Sequence, residues 1–182
     1  MKYVALLRAI NVGGNNRIKM EQLWACFEVG GFQQVMTYIQ SGNVIFESED
    51  ENRERLTREI EESLSQTFNY LARIVLRSYA EIQKVVEEAP DDWNTKTDLR
   101  CNIAFIKEPV TAHEAWQEIV LKEGIDVVTV GHGVLYLSMR LSGLTTSALR
   151  KLVSKKISQD MTIRNYTTTQ KLLTLMEQKE MG

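Results

Sequence analysis

Residues 3–20 read YVALLRAINVGGNNRIKM, an order that predicts a strand, a glycine loop and the start of a helix. Both alternating sets of side chains in residues 3–10 are mostly apolar, which predicts a strand with both faces covered. Arg8 is the exception, and a charge on such a strand needs a partner because burying a lone charge is costly. Gly13 and Gly14 then form the loop, and apolar residues at helical spacing follow it.

The same reading along the chain predicts one order of elements twice. Strands are expected at 3–10, 35–40, 44–47 and 71–77, with helices beginning near residue 20 and spanning 51–68. A connecting helix is expected at 78–89, followed by a loop. The order then recurs, with strands at 102–107, 125–130, 134–138 and 161–164 and helices at 111–122 and 146–157. A last helix is expected at about 168–176, its entry Thr167-Thr-Thr-Gln170 fitting a capping box.

Two consecutive β-α-β-β-α-β orders predict an α+β protein built of two tandem ferredoxin-like subdomains, also called alpha-beta plaits. The predicted boundaries are 1–78 for the first subdomain, 79–99 for the helix and connecting loop, and 100–182 for the second subdomain with an extra C-terminal helix. The recurrence predicts an internal duplication. This prediction depends on element order, because the two halves share little sequence.

Composition places the chain among globular proteins, with 43% hydrophobic and 25% charged residues in 182. Cys26 and Cys101 form no disulfide framework or metal pattern. The N-terminal apolar run is interrupted by Arg8, unlike a signal peptide, and no apolar stretch has the length of a membrane span. We therefore expect a cytoplasmic protein with no membrane partner, no metal and no cofactor.

Charge is distributed unevenly, although the net charge is only −2. Residues 1–20 hold four basic residues and no acid, and residues 140–171 hold seven basic residues against Asp160 alone. Bulk charge gives no reason to expect nucleic acid as a partner. The basic clusters are either solvated helix faces or parts of an anion site.

The glycine loop is the first candidate for such a site. Glycine permits backbone angles that aim successive N–H groups at one point, and the helix N-terminus that follows adds partial positive charge. Arg17 and Lys19 lie where the helix dipole disfavours cations, which favours a bound anion between them. The loop lacks both the G-x-G-x-x-G and the Walker spacing, so the alternative is that Gly13 and Gly14 only shape a turn.

The second candidate is the junction at Arg164 and Asn165, where a strand ends and a helix begins. Arg164 would fork onto a carboxylate or phosphate, and Lys171 lies one turn into the helix. The alternative is a surface arginine beside a turn. Gly42 and Asn43 lie in a hairpin turn, which we expect at the opposite end of the sheet from the glycine loop.

Catalytic patterns are weak. His113 and His132 lie in a helix and at a hairpin tip, without a serine or cysteine nucleophile in a recognisable flanking motif. Asp91 and Asp92 lack neighbours at metal-ligand spacing. The sequence assigns no catalytic residue and leaves open whether the protein is an enzyme.

Three stretches, YVALLRAINVGG from residue 3, TYIQSGNV from residue 37 and TIRNYT from residue 162, resemble a bacterial family known as domain of unknown function 1697. The resemblance implies two ferredoxin-like subdomains in a cytoplasmic protein, and it implies no activity. Members usually have glycine where this chain has Ala9, and tryptophan where it has Tyr166. Many also carry a lysine near Ser147 that is missing here.

Three functional hypotheses follow. The first is binding of a small anion, bearing phosphate or carboxylate. Its site would take the residues Arg8, Asn11, Gly13, Gly14 and Lys19, joined by Arg164, Asn165 and Lys171 if the second half folds back, with Arg17, Gly42 and Asn43 as a second tier. The second is a protein-interaction or self-association module without catalytic activity, its oligomeric state not given by the sequence. The third is single-stranded nucleic acid binding through residues 140–171.

Overall fold

A computed structural model describes residues 1–14 and 16–178, the side chains of residues 153 and 154 excepted. Internal contacts divide the chain into two units. The first comprises Met1–Ile82 together with the residues from Leu172 onward, and the second comprises Gln83–Lys171. This division falls within the connecting helix rather than before it, and it groups the end of the last helix with the first unit.

The first unit is a four-stranded antiparallel sheet with helices. Its elements are β1 (Lys2–Leu7), α1 (Met20–Val29), β2 (Gln33–Tyr38), β3 (Asn43–Glu47), α2 (Arg53–Phe68), β4 (Ile74–Ser78) and the start of α3 (Tyr79–Glu87). The strands lie in the order β2-β3-β1-β4. The predicted order of elements is confirmed for this half.

Burial on both faces of β1 agrees with its sequence. Tyr3, Ala5 and Leu7 belong to the core that packs against α1 and α2. Val4 and Leu6 point to the other face, and both are fully buried as well. A strand whose two alternating sets are apolar therefore occupies a central place in the sheet, as its pattern predicts.

The second unit repeats the sheet with fewer regular helices. It contains a 3-10 turn (Asp91–Asn94), β5 (Leu99–Ile106), α4 (Ala112–Gln117), β6 (Asp126–Val130), β7 (Val134–Arg140), β8 (Met161–Asn165) and the start of α5 (Tyr166–Glu177). The antiparallel order is β6-β7-β5-β8. The hairpin predicted from the strands at 125–130 and 134–138, with His132 at its tip, is confirmed between β6 and β7.

The helix predicted at 146–157 is wrong. Two 3-10 segments, Leu149–Ser154 and Lys156–Asp160, replace it, separated by Lys155 in an extended conformation. Ser147 Oγ donates to Asp126 Oδ1 and accepts from the Leu149 N–H. Serine and threonine side chains compete for backbone groups in this way, which makes them poor helix formers.

The remaining helices differ from prediction at their ends. α4 stops at Gln117 rather than at residue 122, before the β-branched pair Ile119 and Val120. The last helix begins at Tyr166, and Asn165 Oδ1 accepts from the Thr167 N–H, so Asn165 is the cap instead of Thr167. None of the helices in residues 1–14 and 16–178 is long and apolar enough to cross a membrane.

The hairpin turn between β2 and β3 lies beside the glycine loop, so the expectation that it occupies the opposite end of the sheet is wrong. β1 and β3 are antiparallel, with Leu6 opposite Asn43, so the end of β1 meets the beginning of β3. The Leu7 N–H donates to Gly42 O at 2.8 Å. The loop after β1 and the turn before β3 therefore share one end of the sheet.

The registers of the two sheets correspond position by position. Val4 pairs with Arg77 in the first sheet and Ile103 pairs with Arg164 in the second. Each arginine is the fourth residue of a five-residue strand that leads directly into a helix beginning with tyrosine. The two junctions read Arg-Ser-Tyr and Arg-Asn-Tyr.

Candidate functional site

The glycine loop between β1 and α1 has an unusual backbone. Asn11, Gly13, Gly14 and Asn16 all have positive φ, at 53°, 60°, 82° and 48°. Asparagine and glycine are the residues that tolerate this left-handed region best. The composition of the loop therefore fits its conformation, and the glycines are required by the backbone whatever else they do.

Asn11 fixes the shape of this loop. Its Nδ2 donates to Ile18 O at 3.0 Å and to Gln40 O at 2.9 Å, and its Oδ1 accepts from the Ile18 N–H at 2.8 Å. The side chain thus closes the loop on itself and fastens it to the hairpin turn. These bonds give Asn11 a structural role in positioning the loop.

Cationic residues lie in and beside the loop. Arg17 and Lys19 are exposed, and a Cβ added to Gly14 would lie 3.9 Å from Arg17 Nη2, so the guanidinium lies over this glycine. Lys19 is the N-cap of α1 and makes no side-chain capping bond. Arg8 is half-buried at the end of β1, where its backbone N–H donates to Arg73 O at 2.9 Å. The backbone thus brings Arg8 and Arg73 to the same end of the sheet as the loop.

Gly42 and Asn43 fix the hairpin turn that lies beside the glycine loop. A Cβ on Gly42 would lie 2.5 Å from Ile10 Cδ1 and 2.9 Å from Leu7 Cβ. Asn43 is fully buried, and its Nδ2 donates to Tyr38 O and Ser41 Oγ. Both residues therefore hold the turn against the end of β1.

Arg164 in the second unit is buried, with 6% of its surface exposed. Its Nη1 donates to Thr162 Oγ1 at 2.7 Å and to Ile163 O at 3.0 Å. Burial lowers the pKa of Arg164 to about 10, which leaves it charged at neutral pH. Lys171 is exposed on α5, one turn beyond Thr167.

Asn165 lines a cleft of about 250 Å³ in the second unit. The other walls come from Trp93, Leu99, Arg100, Cys101, Leu141 and the first residues of α5, Tyr166 and Thr167. Trp93 packs edge-on against Tyr166, with ring centroids 5.1 Å apart. Of these residues, the sequence predicts only Asn165 as part of a binding site. Trp93 stands in the polar loop after Pro90, and a tryptophan in such a loop is a sequence signal that the loop packs against the fold.

Neither cysteine has the surroundings of a nucleophile. Burial raises the pKa of the Cys101 thiol, and the nearby Asp92 carboxylate raises it further. Cys26 is buried beside Ser63 Oγ at 3.3 Å. His113 and His132 are exposed, and residues 1–14 and 16–178 contain no group of three or more potential metal ligands.

Comparison with known proteins adds a family to this geometry. The model of a family of proteins of unknown function, DUF1697, matches residues 1–136. The chain belongs to this family. A solved structure described as a conserved bacterial protein of Streptococcus pneumoniae is similar to it, with a TM-score of 0.82 and 25% identity over 97% of this chain and 98% of that one. No curated protein matches.

Two of the three departures that the resemblance implies fall at informative places. Ala9, where the resemblance implies glycine in other members, has a φ of 54°. Glycine suits that conformation better, since alanine there brings its Cβ close to the following carbonyl oxygen. Tyr166, where the resemblance implies tryptophan in other members, lines the cleft of the second unit.

Proposed function

We propose that the protein binds a small anionic ligand, bearing phosphate or carboxylate, at the loop between β1 and α1. The observation that carries this proposal is the guanidinium of Arg17 lying over Gly14 beside the N-terminus of α1, whose N-cap is Lys19. The ligand would meet backbone N–H groups of Gly13 and Gly14 and the charges of Arg8, Arg17 and Lys19.

The electrostatics of α1 support this proposal. The N-terminus of a helix carries about half a positive charge, and a cation placed there costs roughly 0.3–1 kcal/mol. Lys19 occupies this position, where serine, threonine, aspartate or asparagine is usual. Glu21 is the acidic residue of the first turn. A bound anion would turn the repulsion among the dipole, Lys19 and Arg17 into attraction.

A thermal-shift screen with inorganic phosphate, a sugar phosphate and adenosine monophosphate tests the proposal. A ligand at a hundred times its dissociation constant adds about 2.7 kcal/mol to the free energy of unfolding. Arg17→Ala and Lys19→Ala should each weaken the response. The matched control is Arg58→Ala, which removes an equal charge from the exposed surface of α2.

A stabilisation that survives both loop variants would contradict this site. So would the absence of stabilisation with every probe while the unmodified protein unfolds cooperatively. An equal loss of stabilisation in Arg58→Ala would mean that binding of the anion depends on net charge rather than on the loop.

At the level of fold, we infer that both units are ferredoxin-like and descend from a duplication. The strand orders β2-β3-β1-β4 and β6-β7-β5-β8, with arginines in corresponding registers, support this inference. Contribution of Arg164, Asn165 and Lys171 to the loop site, single-stranded nucleic acid binding and a cytoplasmic location stay predictions.

Self-association is a second candidate, favoured by exposed apolar residues on α1 and the edge strand β2. Trp24 and Met36 are 43% and 40% exposed, and Trp24 Nε1 donates to Val35 O, so the indole lies beside β2. The register of β2 shifts between Gln33 and Met36. An irregularity of this kind on an edge strand hinders pairing with a strand of another chain, so association would use the side chains rather than the strand edge. Light scattering tests this candidate: a strict monomer at high concentration would contradict it, and Trp24→Ser should dissociate any dimer.

A further inference from the structure

The two strand-to-helix junctions use their first helical turn differently. In the first unit, Ser78 ends β4 and α3 begins at Tyr79. In the second, Asn165 ends β8 and α5 begins at Tyr166. The registers of β4 on β1 and of β8 on β5 make Ser78 and Asn165 equivalent, since they pair with Tyr3 and Asn102 respectively.

In the first unit, a carboxylate of the protein fills the space at this junction. Glu81 Oε2 accepts from the Ser78 N–H at 2.8 Å and from Ser78 Oγ at 2.9 Å. Arg53 Nη2 donates to the same oxygen at 2.7 Å. An arginine and the last residue of the strand therefore converge on one carboxylate from the first turn of α3.

In the second unit, the residue equivalent to Glu81 is Thr168, which has no carboxylate. Beside this junction lies the cleft of about 250 Å³, bordered by Asn165 and Thr167. Arg100 at its edge is an exposed arginine, and the described residues that line the cleft include no acid. The second junction thus lacks a carboxylate equivalent to Glu81. An arginine and the first turn of α5 border the cleft beside it, where Asn165 Oδ1 already accepts from the Thr167 N–H.

We propose that this cleft binds a small organic carboxylate, held by Arg100 and the Asn165–Thr167 junction in the way that Arg53 and Ser78 hold Glu81. The site is independent of the glycine loop, because all its residues belong to the second unit. Arginine matches a carboxylate with two parallel N–H donors, and the first-turn amides of α5 add partial positive charge.

The walls of the cleft restrict the size and polarity of the part of the ligand beyond its carboxylate. Trp93 and Tyr166 are buried and packed edge-on, so they form a rigid boundary. Leu99 and Leu141 add apolar surface at the rim, and Leu141 is 47% exposed. A compact ligand with one carboxylate and a short apolar body fits a space of this size and lining.

Nuclear magnetic resonance of the full chain tests the proposal. We would titrate acetate, benzoate and, separately, inorganic phosphate while following the backbone amides of Thr167 and Thr168 and the indole N–H of Trp93. At least one carboxylate should shift these signals to saturation. Arg100→Gln should weaken that binding by about tenfold or more, equivalent to about 1.4 kcal/mol.

Matched variants distinguish binding in this cleft from binding elsewhere on the protein. Arg150→Gln removes an exposed charge from the same unit without touching the cleft and should leave the affinity unchanged. Tyr166→Trp should reduce the affinity for benzoate more than that for acetate, because the larger ring narrows the cleft. Arg17→Ala should leave the titration unchanged, which distinguishes failure here from failure of the loop proposal.

Three results would overturn the assignment. The first is unshifted Thr167, Thr168 and Trp93 signals with both carboxylates, and the second is a response to phosphate alone. The third is an equal loss of binding in Arg100→Gln and Arg150→Gln. If Arg100→Gln fails to fold, Arg100→Lys replaces it, keeping the charge while removing the paired donors, and unweakened binding in that variant would contradict the proposal.

Discussion

Asn11 and Gln40 are joined by a hydrogen bond of 2.9 Å from the Asn11 amide to the Gln40 carbonyl, which fastens the glycine loop to the β2–β3 turn. Asn11→Ala removes this bond and the two with Ile18, and leaves a non-glycine residue at a φ of 53° without its local bonds. At about 1 kcal/mol for each bond, we expect a loss of roughly 2–3 kcal/mol in the free energy of unfolding. Urea denaturation measures it.

Asn11→Asp is the informative companion, since it keeps the acceptor for the Ile18 N–H and removes both donors. It also places a carboxylate oxygen where the amide nitrogen lies 3.0 Å from Ile18 O and 2.9 Å from Gln40 O, so we expect a loss at least as large as that of Asn11→Ala. Equal stability of Asn11→Ala and the unmodified protein would contradict the positioning role of this side chain.

Gly42→Ala should destabilise the first unit because of both backbone and packing. The residue has a φ of 82°, and its Cβ would lie 2.5 Å from Ile10 Cδ1. Left-handed strain and overpacking together predict a loss of about 2–5 kcal/mol. Gly31→Ala is the control, because its φ is 83° and nothing lies within 4 Å of the added Cβ. It should lose only about 1–2 kcal/mol, and equal losses in the two variants would argue against the packing contribution.

Ala9→Gly should stabilise the protein, an unusual result for a glycine substitution. Alanine at a φ of 54° costs about 1–2 kcal/mol, whereas the added freedom of glycine in the unfolded chain costs about 0.4–1 kcal/mol. The expected net gain is about 0.5–1 kcal/mol, read from the thermal midpoint. Ala80→Gly in the exposed part of α3 should lose about 1 kcal/mol instead. A loss at both positions would mean that Ala9 is not strained.

Stability should depend on pH through Glu81. Burial raises its pKa, but bonds from Ser78 and Arg53 outweigh burial and hold the pKa below the ordinary value of 4.5. Because the folded pKa is the lower one, the ionised carboxylate stabilises the protein above pH 4.5, and this contribution disappears as pH falls through the folded pKa.

Glu81→Gln should therefore be less stable than the unmodified protein at neutral pH. This difference in stability should narrow as the pH falls below 4.5 and through the folded pKa of Glu81. Chemical denaturation at a series of pH values measures both. Glu54→Gln removes a carboxylate from an exposed position on α2 as a control. A difference in stability that stays constant with pH would contradict the role of the ionised form.

The sequence predicts the strands well because the positions of apolar residues in a strand follow the burial of its two faces. β1 is apolar at both alternating sets, and both of its faces are buried. The helix predicted around Ser147 failed because the side-chain bond of this serine to Asp126 depends on a residue from a distant strand. Local propensity contains no information about such a partner.

The candidate sites show the same limit. Gly13, Gly14, Arg17 and Lys19 are neighbours in the chain, so their proximity was predictable from order alone. The cleft escaped prediction because Trp93, Arg100 and Tyr166 come together only through the pairing of β5 with β8 and the packing of two aromatic rings.

The first unit is completed by residues that follow the second unit in the sequence. Lys2 Nζ donates to Gln178 O at 3.2 Å, and Leu172 and Met176 of α5 are buried. During synthesis, which proceeds from the N-terminus, the sheet of the first unit emerges from the ribosome long before this helix. The sheet of the first unit therefore stays incompletely covered until the whole second unit has been translated.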